Sequence, residues 1–287
     1  MNVVIITGAS SGIGREFVLQ MDRSFGRIDE FWLIARRRDK MEETAKALRH
    51  RTRIFPLDIT GKLDTLEEAL IRHKAVVRML INCAGYGIMG SFSEQDADRE
   101  LGMIRLNCEA LTAVTHCVLP FMRRNSRIIQ IASAAAFLPR PDFAVYAATK
   151  AYVLSFSRAL GEELREAGIY VTCVCPGPVD TPFFQLAEAT GSTLSMKKYM
   201  VTPERVVELA LRDSYHRRAM SLCGLPVRAL LLISRAVPHQ VILDIMTQMG
   251  KKCQNVKRKD TKNAVEANVF HRKCKRDQEL PENAEKI

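Results

Sequence analysis

The chain alternates short apolar runs with longer amphipathic stretches of helical length. Each run is rich in β-branched or aromatic residues and is followed by polar or glycine-rich positions. The runs are Val3–Ile6, Phe31–Ala35, Arg53–Leu57, Met79–Asn82, Arg127–Ala132 and Tyr170–Val174. Alternation of this kind predicts an α/β fold, a doubly wound parallel sheet with helices on both faces, and a ligand crevice at the carboxyl ends of the strands.

The C-terminal third changes character. Residues Thr202–Ser214 are expected to form a helix with Thr202 as its N-cap. Residues 225–249 are apolar but are interrupted by charges such as Arg228 and Arg235, so they are too broken to span a bilayer, which needs about 20 apolar residues. We expect this apolar C-terminal segment to extend the domain as a helix. Two interpretations of its role stay open: packing on the protein body, or peripheral contact with a membrane surface.

Composition favours one globular domain with a tail. The 287 residues are 47% hydrophobic and 26% charged, ordinary values for an α/β domain, which we expect over residues 1–250. Residues 251–287 carry +5 of the formal charge of +11, so this basic tail is expected to be flexible and either merely solubilising or attracted to anionic lipid. Attraction of the tail to nucleic acid is a further interpretation, and it is the least favoured of the three.

The N-terminus and the cysteines indicate the compartment. Met1 and Asn2 lead directly into the first apolar run, which leaves no room for an N-terminal signal. The eight cysteines show no CxxC pair and no metal-ligand spacing, so we expect buried thiols in a reducing compartment and no bound metal. The expected location is cytoplasmic.

Three glycines, Gly8, Gly12 and Gly14, lie between the first apolar run and a helical pattern that continues to Met21. In such a strand–turn–helix, glycine lets the backbone approach a pyrophosphate, and the helix N-terminus supplies unpaired N–H groups. Glycines also serve ordinary turns. Their place after the first strand favours dinucleotide binding.

Tyr146 and Lys150 are four residues apart in a helical pattern, and Ser133 lies thirteen residues before Tyr146. The spacing puts a phenol beside an ammonium on one helix face. A free tyrosine has a pKa of about 10, so it becomes a useful base only where a neighbouring cation favours the phenolate. A chance pair on a solvated helix face is the alternative.

These motifs, with Asn82-Cys83-Ala84-Gly85 and Pro176-Gly177, resemble those of the short-chain dehydrogenase/reductase family, and they occur in the family's order from about Val3 to about Val207. The resemblance implies a Rossmann-type fold and an NAD(P)-dependent enzyme that acts between CH–OH and C=O groups. Homo-oligomers that form through the helices bearing Asn107 and Tyr146 are also implied.

The resemblance assigns four catalytic roles. Ser133 holds the substrate oxygen, Tyr146 is the general acid/base, and Lys150 lowers the pKa of Tyr146 and binds the nicotinamide ribose. Asn107 anchors a water between Lys150 and solvent. The alternative for Asn107 is a helix-interior asparagine that bonds locally to backbone.

The resemblance also implies the cofactor residues. Around the dinucleotide we expect Gly8, Ser10, Ser11, Gly12, Ile13 and Gly14 at the glycine turn, Asp58 and Ile59 at the adenine, Asn82, Ala84 and Gly85 along the pocket, Pro176, Gly177, Val179 and Thr181 over the carboxamide, and Tyr146 and Lys150 at the ribose.

The residues after the second strand bear on cofactor choice. NAD-preferring enzymes place a carboxylate there for the adenosine ribose, but this chain has Arg36 and Arg37. A guanidinium offers a fork of donors that suits a 2′-phosphate. We therefore expect NADP(H) to be favoured over NAD(H), with Arg37 and Arg15 as lesser candidates than Arg36. A solvated basic helix start is the alternative.

The substrate is expected to be a lipophilic carbonyl compound or alcohol. The resemblance makes residues 181–200 the substrate loop, and Phe92, Phe137 and Leu138 are further candidates for its wall. Apolar residues in the loop are Phe183, Phe184, Leu186, Leu194 and Met196. These residues alternatively serve only to pack the loop, and no acidic or basic cluster indicates a charged substrate.

The sequence thus predicts an NADP-dependent oxidoreductase that interconverts a lipophilic ketone and a secondary alcohol. The alternative is a nucleotide-binding regulatory protein or a membrane-associated protein that acts through its C-terminal segment.

Overall fold

A computed structural model describes residues 1–183 and 200–248. Its centre is a seven-stranded parallel sheet with the strand order β3-β2-β1-β4-β5-β6-β7. The strands are β1 (Asn2–Thr7), β2 (Glu30–Ala35), β3 (Arg51–Pro56), β4 (Val76–Asn82), β5 (Met122–Ile131), β6 (Tyr170–Val174) and β7 (Met220–Ser221). The six predicted strands and the Rossmann-type α/β class are confirmed. The sequence missed β7, because two residues show no periodicity.

Helices cover both faces of the sheet. They are α1 (Gly12–Ser24), α2 (Arg38–Lys46), α3 (Asp64–Arg72), α4 (Ala97–Ile104), α5 (Leu111–Val118), α6 (Ala144–Glu163), α7 (Pro203–Tyr215) and α8 (Leu225–Ala236). Residues of α1 and α7 pack into one hydrophobic cluster, and residues of α3, α5 and α6 pack into the other. This two-sided burial explains why the central strands are continuously apolar.

Strand β1 shows how the two cores share one strand. Val3 through Ile6 are fully buried. Val4 and Ile6 belong to the cluster with α1, and Val3 and Ile5 belong to the opposite cluster, because successive strand residues face opposite sides of the sheet.

The helix predicted over Thr202–Ser214 is confirmed as α7, and the Thr202 hydroxyl accepts a 3.4 Å hydrogen bond from the Arg205 N–H. Helix α8 extends the domain as the sequence predicted and ends before Pro238. Its Val227 is buried, but Leu225 and Leu232 are 77% and 67% exposed.

The described residues fall into two compact units, Met1–Val237 and a second that begins at Pro238. In the second unit, residues 239–248 are helical and expose Val241 and Ile245. Across residues 1–183 and 200–248, no helix combines the length and apolar character that a transmembrane span requires.

The strand order reverses between β1 and β4, which are neighbours in the sheet. In doubly wound folds a crevice opens at such a switch point, beyond the carboxyl ends of the strands. The glycine turn after β1, the Asn82–Gly85 segment after β4 and Ser133 after β5 all lie at this edge.

Candidate active site

One cavity at this edge joins the glycine turn to the predicted catalytic residues. Three groups of lining residues match sequence predictions: Ser11, Gly12 and Ile13; Ser133, Tyr146 and Lys150; and Pro176, Gly177, Val179 and Thr181. Cys83 and Gly85 line it as well. The predicted cofactor-binding turn and the predicted catalytic residues therefore line the same cavity.

The glycine turn is closely packed. Gly8 and Gly12 adopt left-handed conformations, with φ of +69° and +53°, that favour glycine. A Cβ on Gly14 would collide with the carbonyl oxygen of Gly8, and a Cβ on Gly8 would lie 2.8 Å from the Ala84 nitrogen. Glycine lets the turn pack closely on itself and on Ala84, and Ser11, Gly12 and Ile13 line the cavity at the N-terminus of α1, where a pyrophosphate can bind. The residues fit a dinucleotide.

The segment after β4 is held from within the sheet. The Thr7 hydroxyl accepts 3.1 Å hydrogen bonds from the N–H groups of both Cys83 and Ala84. The Asn82 amide donates to the Thr115 hydroxyl at 2.8 Å, so this end of the side chain is directed at α5. Asn82 and Ala84 do not line the cavity, but their hydrogen bonds hold the segment whose Cys83 and Gly85 do.

Ser133 caps the short 3-10 turn Ala134–Phe137, and its Oγ accepts a 3.1 Å hydrogen bond from the Ala135 N–H. That bond leaves the hydroxyl proton of Ser133 available to donate. The Tyr146 ring stacks on Phe143, with centroids 4.2 Å apart, and contacts Phe183 at 5.6 Å. The phenol is thus fixed beside Ser133 in an aromatic pocket.

Lys150 is buried one helical turn after Tyr146. Its Nζ donates a 2.8 Å hydrogen bond to the Ile131 carbonyl and lies 5.7 Å from the centre of the Tyr146 ring. Burial lowers the pKa of Lys150. Next to it, Gly85 permits the close approach of Asn107, because a Cβ on Gly85 would lie 2.9 Å from the Asn107 Oδ1.

The electrostatics at Tyr146 include a cation that the sequence analysis did not name. Burial raises the pKa of Tyr146 to about 12, opposed by hydrogen bonding to Ser133 and by the positive charge of Arg140. Lys150 is the cation expected in this role from the sequence; its ammonium lies 5.7 Å from the centre of the Tyr146 ring, and Arg140 is a second cation near the phenol.

Asn107 is completely buried in a π-helical turn, Arg105–Ala110, between α4 and α5. Its side chain accepts from the Tyr86 N–H at 3.1 Å and donates to the Tyr86 carbonyl at 2.9 Å. It also donates to the Thr149 hydroxyl of α6 at 3.1 Å. These partners are distant in sequence, so Asn107 is not the locally bonded helix asparagine of the alternative. π-Helical turns occur frequently at functional sites.

The two arginines that follow β2 make different contacts. The Arg37 guanidinium donates to the hydroxyls of Ser10 and Ser11 at 3.1 and 3.0 Å, which ties it to the glycine turn. Arg36 is exposed and adds to the lowering of the Asp58 pKa, for which hydrogen bonds from Thr60 are the largest cause. The Ile59 side chain is buried in the core.

The apolar wall differs from the one expected. Phe137 and Leu138 are buried but do not line the cavity, and Phe92 is 68% exposed. Phe183 does line it, together with Met89 and Phe143, which the sequence analysis missed. The loop residues Phe184, Leu186, Leu194 and Met196 lie outside the described residues.

Sequence reasoning also missed Arg140 and the Ile131 carbonyl. Arg140 precedes Tyr146 by six residues and lines the cavity. Its signal was a lone arginine in the Pro-Arg-Pro segment before α6, which by itself favours only a turn. Cys83 also lines the cavity, and burial raises the pKa of its thiol to about 12, which favours the thiol over the nucleophilic thiolate.

The fold and the site define a dinucleotide-dependent oxidoreductase, and comparison with known proteins gives the family. Residues 2–191 match the model of the family described as short chain dehydrogenase. The chain belongs to this family. It is an NAD(P)-dependent dehydrogenase/reductase that acts between CH–OH and C=O groups.

Among its relatives is an uncharacterised oxidoreductase of Staphylococcus epidermidis, 31% identical over 63% of this chain and 79% of that protein. A very-long-chain 3-oxoacyl-CoA reductase of Coprinopsis cinerea is 30% identical over 58% of this chain and 51% of that protein. A solved short-chain dehydrogenase of Sphingobium yanoikuyae in complex with NADPH is 28% identical with a TM-score of 0.70, covering 85% of this chain and 96% of that one.

Proposed function

We propose that the protein is an NADP-dependent oxidoreductase that interconverts a lipophilic ketone and the corresponding secondary alcohol, with Tyr146 as general acid/base. The observation that carries the proposal is the single cavity shared by the glycine turn, Ser133, Tyr146 and Lys150. When bound, the dinucleotide supplies or accepts a hydride.

In the direction of reduction, Ser133 donates a hydrogen bond to the carbonyl oxygen and orients it toward Tyr146. As the carbonyl carbon gains hydride and the C=O π bond breaks, Tyr146 gives its proton to that oxygen, so that one C–H and one O–H bond form. A phenol with a raised pKa is protonated at neutral pH, as this step requires. Lys150 holds the nicotinamide ribose, and Asn107 anchors a water that leads from Lys150 to solvent.

The preference for NADP rests on the residues after β2. Arg36 and Arg37 take the place where a carboxylate would receive the ribose hydroxyls, and Arg37 is bonded to the glycine turn. We propose Arg36 as the partner of the 2′-phosphate, with Arg37 beside it. The relative from Sphingobium yanoikuyae was solved with NADPH, which supports the same choice.

The preference for a lipophilic substrate rests on the cavity wall opposite the glycine turn. Met89, Phe143 and Phe183 line it, and they surround Tyr146 with apolar surface. The relative from Coprinopsis cinerea is a very-long-chain 3-oxoacyl-CoA reductase, which supports an acyl-chain ketone as one member of the class.

Screening tests this function. Purified protein with NADPH is mixed with matched aliphatic, aromatic and steroidal ketones, and NADPH oxidation is followed together with fluorescence titration of NADPH. We expect turnover of at least one lipophilic ketone and poor turnover of small polar ketones. NADPH binding without turnover of any ketone would contradict the proposal.

The free cysteines support a reducing compartment such as the cytoplasm, since the six cysteines of the described residues are all free thiols. We also propose a homo-oligomer through the helices that bear Asn107 and Tyr146, where Leu101, Ile104 and Tyr152 are exposed. Light scattering after size exclusion tests it, and a monomer at micromolar concentration would contradict it.

Membrane contact through the C-terminal segment is a second candidate role, favoured by the apolar side chains that α8 exposes. Leu225, Leu232 and Ile233 are 77%, 67% and 48% exposed, and Arg228 and Arg235 lie on the same helix. Sedimentation with vesicles of anionic and neutral lipid tests the role. Binding that is unchanged by Leu232→Asp would exclude α8 as the contact.

A further inference from the structure

Arg140 is a cation without a partner at the substrate side of the cavity. It lines the cavity together with Met89, Phe143 and Tyr146. Among the residues that the structure describes, its guanidinium makes no hydrogen bond and no ion pair. Lys150, the other cation of this cavity lining, is bonded to the Ile131 carbonyl.

Keeping an unpaired guanidinium partly out of water costs free energy. Arg140 is half-buried, and burial lowers its pKa because water is partly removed from the charge; no carboxylate of residues 1–183 or 200–248 pairs with it. Arginine stays protonated in proteins, so the charge persists. The side chains of Met89 and Phe143 carry no negative charge, and a counter-ion supplied by the substrate would recover the lost solvation.

The chemistry of the counter-ion follows from the number of cations. Arginine is a planar fork of donors that matches a carboxylate with two parallel hydrogen bonds. A phosphate dianion would call for a second cation, and Lys150 is already placed beside Ile131. One arginine in an apolar wall therefore fits a monoanion.

We propose that Arg140 binds a carboxylate carried by the substrate, so that the preferred substrate of the proposed reaction is a lipophilic oxo acid or its hydroxy acid. The inference rests on the proposed function and narrows its substrate class. Arg140 is close enough to Tyr146 to lower the pKa of its phenol. Both side chains line the same cavity, so one substrate can present its carboxylate to Arg140 and its carbonyl to Tyr146.

Pairing would also act on Tyr146. A bound carboxylate offsets the charge of Arg140 and so removes one of the influences that lower the Tyr146 pKa. The phenol, which is protonated at neutral pH in either case, then becomes a weaker acid, so pairing should move the rise of alcohol oxidation to higher pH. A neutral ketone would leave the charge of Arg140 without a counter-ion.

Kinetics with paired substrates test the proposal. A series of oxo acids that differ in the position of the ketone is compared with their methyl esters, in the wild type, Arg140→Met and Arg140→Lys. Arg140→Met should lower kcat/KM for the best oxo acid about 10- to 100-fold and for its ester less than about threefold. Arg140→Lys should restore part of the loss.

Arg158→Met is the matched control, because Arg158 is exposed on α6, the helix that also carries Tyr146. It should leave both substrates and the NADPH titration unchanged. Equal losses for acid and ester in Arg140→Met, or a wild type that prefers the ester, would overturn the proposal.

A binding measurement separates this proposal from the proposed function. Calorimetry of the NADPH-loaded protein with decanoate and with methyl decanoate requires no turnover. Decanoate should bind at least about tenfold more tightly than the ester in the wild type and lose that advantage in Arg140→Met. If no ketone is reduced but this result holds, the proposed reaction fails and the carboxylate site stands.

Glu188 provides the competing explanation. It is the acidic residue of the segment 184–199, which lies outside the described residues. Should decanoate bind only after Glu188→Gln, Arg140 is paired within the chain and the proposal is overturned. Decanoate binding that is the same in wild type and Arg140→Met would also overturn it.

Discussion

The ammonium of Lys150 donates a 2.8 Å hydrogen bond to the carbonyl of Ile131, the last residue of β5. Two residues later the chain reaches Ser133, and one helical turn before Lys150 lies Tyr146. The bond therefore joins α6 to the strand that positions Ser133. It fixes the distance between the hydroxyl and the phenol that the proposed reaction needs at the same oxygen.

Cofactor choice gives the first prediction. Arg36→Ala should weaken NADPH binding about 10- to 100-fold and NADH binding less than about threefold, because only NADPH carries the 2′-phosphate. Arg37→Ala should weaken both, since Arg37 also holds Ser10 and Ser11 of the glycine turn. Fluorescence titration measures each dissociation constant.

Arg38→Ala is the control for both arginines, because Arg38 is exposed and pairs with Glu42. It should change neither dissociation constant. Equal losses for the two cofactors in Arg36→Ala would show that Arg36 does not contact the phosphate.

The pH dependence follows from Tyr146. Its pKa is about 12, so the phenol is protonated through neutral pH. Ketone reduction needs the protonated form and should be flat from about pH 6 to 9, whereas alcohol oxidation needs the phenolate and should rise with pH. Arg140→Met removes a charge that lowers this pKa and should shift the rise of oxidation to higher pH.

The measurement is kcat/KM for an alcohol and its ketone, each at saturating cofactor. Burial raises the pKa of the Tyr146 phenol, and Ser133 and Arg140 lower it. An oxidation profile that does not move in Arg140→Met would exclude an electrostatic effect of Arg140 on Tyr146.

The glycine turn predicts a sharp contrast between two glycines. Gly14→Ala should lower the melting temperature and abolish nucleotide binding, because its Cβ would collide with the Gly8 carbonyl. Gly26→Ala is the control, since a Cβ there meets no atom within 4 Å. Thermal melts with and without NADPH check both. A Gly14→Ala variant that NADPH stabilises as well as it stabilises the wild type would contradict the packing described.

Asp22 gives a prediction about stability. Burial raises the pKa of its carboxylate, but hydrogen bonds from His50 and Arg49 outweigh burial, and the net pKa is lowered. A lowered pKa stabilises the fold above the unfolded value, about pH 4, and the effect is lost as the pH falls through the folded value. Asp22→Asn should cost about 1–2 kcal/mol at pH 6.

Urea unfolding at pH 6 and below pH 4 tests the carboxylate. The difference between wild type and Asp22→Asn should shrink at the lower pH, whereas Asp39→Asn, at an exposed residue, should differ little at either. If the difference in unfolding free energy between wild type and Asp22→Asn stays constant with pH, the charge of Asp22 is not what stabilises its contacts with His50 and Arg49.

The fold could be predicted from the sequence because each central strand is a separate apolar run and each motif follows one of these runs. Val3–Ile6 and the glycine turn illustrate this, since their geometry depends on near neighbours in the chain. The spacing of Tyr146 and Lys150 likewise specified one helix face, which α6 buries.

What the sequence did not show depends on contacts between distant segments. Arg140, Met89 and Phe143 have no common spacing, and only the tertiary fold brings them to the same cavity. The partners of Asn107 are on Tyr86 and Thr149, far away along the chain. The burial that raises the Tyr146 pKa is likewise a property of the packed domain.

One substitution tests the central claim most directly. In Tyr146→Phe we expect ketone reduction to fall at least about 1,000-fold while the NADPH dissociation constant changes less than about threefold, because only the proton donor is lost. Tyr152→Phe, on the exposed side of α6, should retain full activity. Turnover by Tyr146→Phe at the wild-type rate would contradict the assignment of Tyr146 as the general acid/base.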